Sequence, residues 1–424
     1  MSLGGPGPLR LAVTGIGVVG TAFGMARYGY GLLLPDMQRD YGLNSAALGA
    51  IGAGSYAAYL LAAIVSGARA RALGPRATVV GGGLLAMVGM LIAGLSHSAG
   101  VLAAGVLVGG ASAGVVYPPF SDAVARLAPV ARGRTLSAIN CGTGYGVAIA
   151  APIAILVGGA WREAWLAFAG CALVTTLWGA HVLPGRSAAD EVDQPRAQSV
   201  RPRCARSLLL RREAVPLLAG GVVIGLGSAA YWTFAVDHLQ HDGSLSVTAS
   251  RAFLGVVGVA SLLSTATGDL VLRFGGRRVF TTAVVLEAAS LAALALAPSS
   301  LSAALVSAAL FGASYNTVVA IEALWSARLY AERPSLGLAV AMAANATGLL
   351  CGPLASGALA DAVGLTDVLF GGAAIVAAAA LLAPRGAIVA GERTAKPAVT
   401  SHRGFDDRQD RHSEPGRVIR RRSA

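Results

Sequence analysis

The apolar positions of this chain gather into twelve runs separated by polar breaks. Six fall near 11–35, 45–67, 77–95, 99–121, 135–158 and 162–183, and six more near 214–236, 247–272, 279–297, 300–323, 336–360 and 366–384. A helix needs roughly 20 apolar residues to cross the hydrocarbon core of a bilayer, and these runs have that length. A membrane barrel would show alternating segments of about ten residues instead. The pattern predicts an all-α polytopic membrane protein with twelve transmembrane helices.

One break is long. Residues 184–212, rich in Arg, Pro, Ser and Ala, separate an N-terminal six-helix half (1–183) from a C-terminal half (213–385). Residues 386–424 are polar, mixed in charge and end in Arg420-Arg421-Arg422, which predicts a disordered tail.

Composition supports the pattern: 55% of residues are hydrophobic and 13% charged, against about 25% charged in soluble domains. The 56 glycines suit closely packed spanning helices, which meet through small residues. A net charge of +12 invites a nucleic-acid reading, but the arginines are distributed by loop. The breaks after runs 2, 4, 6, 8 and 10 carry Arg69, Arg71 and Arg76; Arg126, Arg132 and Arg134; seven arginines from Arg186 to Arg212; Arg273, Arg277 and Arg278; and Arg328 and Arg333. Only Arg39, Arg162 and Arg251 fall on the other side. The positive-inside rule then puts both termini in the cytoplasm of a plasma (inner) membrane protein, and no nucleic acid is needed to explain the charge. The four cysteines form no metal or disulfide pattern, and residues 1–10 have no cleavable-signal layout.

A shift of 201 residues brings the two halves into register. Gly20, Gly24, Tyr30 and Asp36 fall on Gly221, Gly225, Tyr231 and Asp237; Gly67, Gly74, Arg76 and Pro152 fall on Gly268, Gly275, Arg277 and Pro353. With one further residue, Gly110-Ala111-Ser112 meets Gly312-Ala313-Ser314. Parallel six-helix repeats enclosing a site at their interface are a transporter architecture.

The chain here resembles the major facilitator superfamily up to about residue 385. Gly67-Ala-Arg-Ala-Arg71-Ala-Leu-Gly74-Pro-Arg76 is similar to the family's Gly-x-x-x-Asp-Arg-x-Gly-Arg-Arg loop, and Gly268-Asp-Leu-Val-Leu-Arg273-Phe-Gly275-Gly-Arg277 is its repeat copy. Arg71 and Leu272 stand where the family usually has Asp, so the latch made by that Asp is not expected here. Gly144…Pro152 and Gly348…Pro353 resemble the family's Gly/Pro-rich fifth span. The opening Ala26-Arg-Tyr-Gly-Tyr-Gly-Leu-Leu-Leu-Pro35 is similar to the YbfB/YjiJ-type branch, which is related to sugar-efflux-like and cyanate-permease-like proteins. The resemblance implies that spans 1, 4, 7 and 10 line a central cavity, with 2, 5, 8 and 11 beside them.

Candidate chemistry starts at Arg27, a full charge inside the first run. Such a charge costs roughly 2.5–3.5 kcal/mol on insertion scales and is rarely present without a function or a partner. Ideal helical spacing places Gly20, Gly24, Arg27 and Gly31 on one face, against other helices or a cavity. Arg27 can hold an anionic substrate, or bond to backbone carbonyls as a structural residue. Its repeat mate is Ser228, so the charge is unmatched. Tyr30, Tyr231 and Trp232 offer aromatic faces with polar handles, or interfacial anchors. Asn140, Asn345, Tyr315 and Asn316 can reach substrate or bond between helices. Glu322 is the candidate proton-coupling carboxyl, while Glu287 reads as a helix-packing group. Asp36 and Asp237 read as solvated caps, and Asp237-His238-Leu-Gln-His241-Asp242 as a solvated outer loop rather than a metal site.

Gly15-Ile-Gly17-Val-Val-Gly20 mimics a dinucleotide-binding turn, but the apolar run continues to Pro35 and Gly20 has a spanning mate. A soluble dinucleotide enzyme is thereby excluded, and no cofactor is expected. The resemblance implies a secondary active transporter of a small organic solute driven by an ion gradient, with proton-linked export favoured over uptake. A membrane receptor on the same fold is the alternative.

Overall fold

The computed structural model describes residues 7–125, 135, 138–183, 211–331 and 334–388, without the side chains at 67–73, 117–119, 121–125 and 334–336. The predicted linker and tail lie almost wholly outside these residues, as do the side chain of Arg71 and any packing at Gly67. Twelve helices are long and apolar enough to cross a membrane. Spans 1 to 6 are Pro8–Tyr41, Ser45–Ser66, Gly74–Gly94, Ala99–Val116, Ala138–Leu156 and Trp161–Val182. Spans 7 to 12 are Arg212–His241, Val247–Phe274, Gly276–Leu296, Leu301–Leu329, Gly337–Val363 and Leu365–Leu382. No strand occurs among the described residues. Because the spans alternate in direction, the starts of odd-numbered spans and the ends of even-numbered ones share the side that carries residue 8, called here the terminal side.

Local chemistry sets where several helices begin. On the far side, Asn44, Ser246 and Ser300 accept hydrogen bonds from the backbone N–H of Ala47, Ala249 and Ala303, which satisfies one otherwise orphaned donor at each start. On the terminal side, Gly74 (φ 77°) and Gly275 (φ 88°) bend the chain between spans 2 and 3 and between spans 8 and 9. They are repeat mates, and side chains other than glycine's strain at these angles. Gly74→Ala and Gly275→Ala should each cost about 1–3 kcal/mol, read as a lower unfolding midpoint in detergent. Unchanged midpoints would show that the two turns do not need these angles.

Packing repeats the pseudo-symmetry. Span 1 lies against span 5 so closely that a Cβ on Gly24 would sit 2.6 Å from the Cα of Gly146. Its mate Gly225 on span 7 lies against span 11, where a Cβ would meet the Leu349 nitrogen at 3.0 Å. The halves meet where span 1 crosses span 7 (Gly31 on Trp232), where span 2 meets span 11 (Gly49 on Pro353) and where span 5 meets span 8 (Gly144 on Gly258 and Ser261).

Span 1 departs from the ideal helix. Residues Gly20–Met25 form a π-helical turn, with Ala26 N–H donating to the carbonyl of Thr21 and Tyr28 N–H to that of Phe23. The extra residue rotates the remainder of the helix by roughly 100°. The single face expected for Gly20, Gly24, Arg27 and Gly31 is therefore split: the first two glycines meet span 5, and Gly31 meets span 7.

Candidate functional site

Beyond the π turn, Arg27 points into a cavity of about 140 Å³ between the halves. Its walls come from spans 1, 2, 5, 7, 8, 10 and 11. The lining lies toward the starts of spans 5 and 11 (Asn140 to Thr143, Leu338 to Leu349) and the end of span 10 (Asn316 to Ala323), hence on the terminal side of the bundle.

The guanidinium of Arg27 lies 3.9 Å from the Tyr56 ring centre and 4.5 Å from that of Tyr59, with Phe23 and Tyr28 further out at 5.7 and 5.9 Å. Ring quadrupoles stabilise a cation by up to about 2 kcal/mol each when water is excluded, which offsets part of the desolvation cost. The ring faces accept no in-plane hydrogen bond, and the Tyr56 hydroxyl lies within hydrogen-bonding reach of the guanidinium. The Nε and Nη2 groups of Arg27 are buried and unpartnered.

Opposite stand the aromatic and amide residues of the C-terminal half. Trp232 stacks on Tyr28 at 4.1 Å and meets Tyr315 edge-on at 5.5 Å, leaving its Nε1–H buried without an acceptor. Tyr315 donates to Asn345 Oδ1 at 3.4 Å, and Asn345 Nδ2 is left unpartnered. Asn316 turns onto its own helix, donating to the Gly312 carbonyl. Glu322 is 4% exposed with Oε1 unpartnered, and among the described residues no arginine or lysine forms an ion pair with it. Buried polar groups are nearly always paired; here Arg27, Trp232, Asn345 and Glu322, orphans on four different helices, converge on one cavity.

Seven of the expected residues thus line one space: Arg27, Asn140, Trp232, Tyr315, Asn316, Asn345 and Glu322. Two do not. Tyr30 is buried with its hydroxyl donating to the Leu48 carbonyl at 2.8 Å, and Tyr231 is enclosed with its hydroxyl 2.8 Å from Ser307 Oγ and its ring stacked on Phe311. Both hydroxyls are engaged between helices, and neither residue lines the cavity. Tyr231→Phe should lower stability by about 0.5–1.5 kcal/mol, the net value of one hydrogen bond, and leave ligand affinity unchanged. A loss of affinity would return Tyr231 to the site.

The reading of the sequence missed Tyr28, Tyr56 and Tyr59. Tyr28 follows Arg27 directly, but without a repeat mate it drew less notice than Tyr30. Glu287 accepts a hydrogen bond from Ser228, so the position matching Arg27 in the second half bonds to a carboxyl on span 9.

The far side is tied shut. Asp36, expected as a solvated cap, is buried and receives Arg251 from span 8 at 2.6 Å as well as Arg39. Arg251, enclosed at 0% exposure, also donates to the carbonyls of Ala154 and Gly158 in and just beyond span 5. This one guanidinium joins spans 1 and 5 to span 8, although in the sequence it counted only as a loop charge. Asp361 at the end of span 11 accepts from the N–H groups of Ser45 and Ala46 at the start of span 2. The expected outer loop at 237–242 is also corrected: through His241 it is the last turn of span 7, with Asp237 and His238 buried in i,i+4 pairs to His241 and Asp242. The terminal-side arginines Arg76, Arg273 and Arg277 are exposed, and Gly268 has open space about it.

The family model described as Major Facilitator Superfamily matches residues 16–267 and 217–422. Among solved structures, the crystal structure of nucleoside transporter NupG in its D323A mutant is similar with a TM-score of 0.71 at 12% identity, covering 88% of this chain and 98% of that one. A second crystal structure of nucleoside transporter NupG gives 0.68 at 12% identity, covering 88% and 97%. At this identity the likeness is one of fold. No curated protein matches the sequence significantly.

Proposed function

The chain belongs to the major facilitator superfamily and is a multi-pass secondary transporter rather than an enzyme; on that premise we propose that it carries a small organic solute by alternating access, coupled to protons. The observation that carries this reading is the convergence of four unpartnered buried polar groups on the cavity between the halves. Buried groups left without partners are costly, and a solute that completes their hydrogen bonds recovers that cost on binding. The cavity, at about 140 Å³, is smaller than the roughly 300–1,000 Å³ of drug-sized sites, which favours a compact solute.

In this reading residues 1–183 and 213–385 rock against each other, with the terminal side in the cytoplasm of the plasma (inner) membrane and the solute held by Arg27, Trp232, Tyr315 and Asn345. Glu322 carries the proton. The turns at Gly74 and Gly275, with Arg76, Arg273 and Arg277 beside them, act at the cytoplasmic face. Purified protein in liposomes with an imposed pH gradient should move a solute that it binds, and Glu322→Gln should uncouple that movement from the gradient. Binding without flux under any proton or sodium gradient would favour a receptor instead.

A further inference from the structure

The charges around the cavity restrict what can be loaded there and in what company. Among the described residues Arg27 is the one arginine or lysine lining the cavity, on the N-terminal-half side, with Nε and Nη2 unpartnered inside an aromatic collar in which the Tyr56 hydroxyl meets the guanidinium. Two further unpartnered donors, Trp232 Nε1 and Asn345 Nδ2, belong to residues that line the same space. Among the buried atoms of the lining residues left without partners, donors outnumber the one acceptor, Glu322 Oε1, which suits a ligand rich in acceptors. A carboxylate, with two oxygens in a plane, matches the edge of a guanidinium.

Carboxyls set the second condition. Glu322 lines the cavity and Glu287 lies buried on span 9, within electrostatic reach of it. The other acidic, basic and histidine groups on helices packed against span 10 stand toward helix ends: Arg212 and Glu213 in the first turn of span 7, Asp237, His238 and His241 at its far end, Arg251 on span 8 at the far side, Asp269 and Arg273 toward the terminal-side end of span 8, Arg277 and Arg278 at the start of span 9, and Asp361 near the far end of span 11. No described arginine or lysine other than Arg27 reaches the cavity. An anion loaded while Glu322 is ionised adds like charge to a poorly screened space, and a proton on Glu322 removes that penalty.

We infer that the substrate is a compact organic carboxylate seated on Arg27, and that it binds together with a proton on Glu322, so that anion and proton cross in the same direction. The inference rests on the proposed transport reading and specifies its cargo. Because linkage is reciprocal, a proton that favours the anion is favoured by it. Exchange requires the opposite, proton and substrate excluding each other. Cotransport with an inward proton gradient gives uptake, which reverses the export favoured from the family resemblance.

Detergent-solubilised full-length protein can be titrated with lactate and benzoate, with their neutral amides lactamide and benzamide, and with glycerol, by following Trp232-sensitive fluorescence and by calorimetry in two buffers of different ionisation enthalpy. The carboxylates should bind at least about tenfold more tightly than their amides, as expected for a charge-assisted contact. At a pH where Glu322 is ionised in the free protein, each should take up about one proton on binding, and affinity should weaken as pH rises through that range. Glu322→Gln should bind carboxylates as wild type does at low pH, without proton uptake, and Arg27→Gln should lose the preference for carboxylate over amide. The inference is overturned if amides or glycerol bind as well as the carboxylates, if none of the carboxylates binds, or if binding releases protons or ignores pH. Carboxylate binding with proton uptake but no flux in liposomes would leave the ligand assignment standing and remove the transport reading. Flux of a neutral solute with no carboxylate binding would do the reverse.

Discussion

Arg27→Gln should lower the affinity for a carboxylate on the order of 30-fold to several thousand-fold, the 2–5 kcal/mol range found when one partner of a buried charged contact is truncated. The reason is local. The guanidinium is held among Tyr56, Tyr59, Phe23 and Tyr28 by ring contacts and has Nε and Nη2 buried and unpartnered on a residue that lines the cavity, so a carboxylate that reaches them completes their hydrogen bonds. Glutamine keeps some reach and polarity and loses the charge. Protein stability should change in the opposite direction or not at all, because removing an unpaired buried charge relieves desolvation. Equilibrium titration alongside a thermal melt separates the two effects. A variant that binds carboxylates as wild type does, or that unfolds before it can be titrated, would mark Arg27 as structural.

Arg251→Gln should act on conformation rather than on the site. The buried Arg251–Asp36 pair, with the bonds to Ala154 and Gly158, ties span 8 to spans 1 and 5 in this conformation, and opening the far side has to separate them. Breaking a buried pair by removing one partner costs about 3–5 kcal/mol, and here that cost falls on one conformation. The equilibrium between closed and open far side should therefore shift by on the order of 100-fold or more. Asp361 remains on the start of span 2 and Asp36 keeps Arg39, so the fold itself should persist. The shift can be read as faster labelling of a cysteine placed at Ser45 by a membrane-impermeant thiol reagent. Native Cys141, Cys171, Cys204 and Cys351 are replaced beforehand. Unchanged labelling would mean that the pair does not hold the far side shut.

The twelve spans were legible because each is a run of apolar residues long enough to cross a bilayer, a one-dimensional property. The pseudo-symmetry was legible for a related reason. Gly24 and Gly225, or Gly74 and Gly275, answer the same steric demand in both halves, and only glycine meets it. Polar residues on the inward spans also led to the cavity, Arg27, Trp232, Tyr315, Asn345 and Glu322 among them.

What escaped depends on rotation and on distance along the chain. The π turn at Gly20–Met25 breaks the spacing by which Gly31 was placed beside Arg27. Repeat matching favoured Tyr30 and Tyr231, yet shared position in a scaffold marks packing as readily as binding, and both hydroxyls serve the scaffold. The partner of Asp36 lies 215 residues away, and no local pattern announces such a pair. Arg251, counted as a loop charge, is an enclosed side chain joining the two halves.

The most direct measurement is the pH inside liposomes that contain the protein and a trapped pH-sensitive dye, after lactate is added outside at equal starting pH with the membrane potential clamped. The account predicts acidification of the lumen well above that in protein-free liposomes, abolished by Arg27→Gln and by Glu322→Gln alike. Lactate entry with no protein-dependent change in pH, or with the lumen turning alkaline, would contradict it.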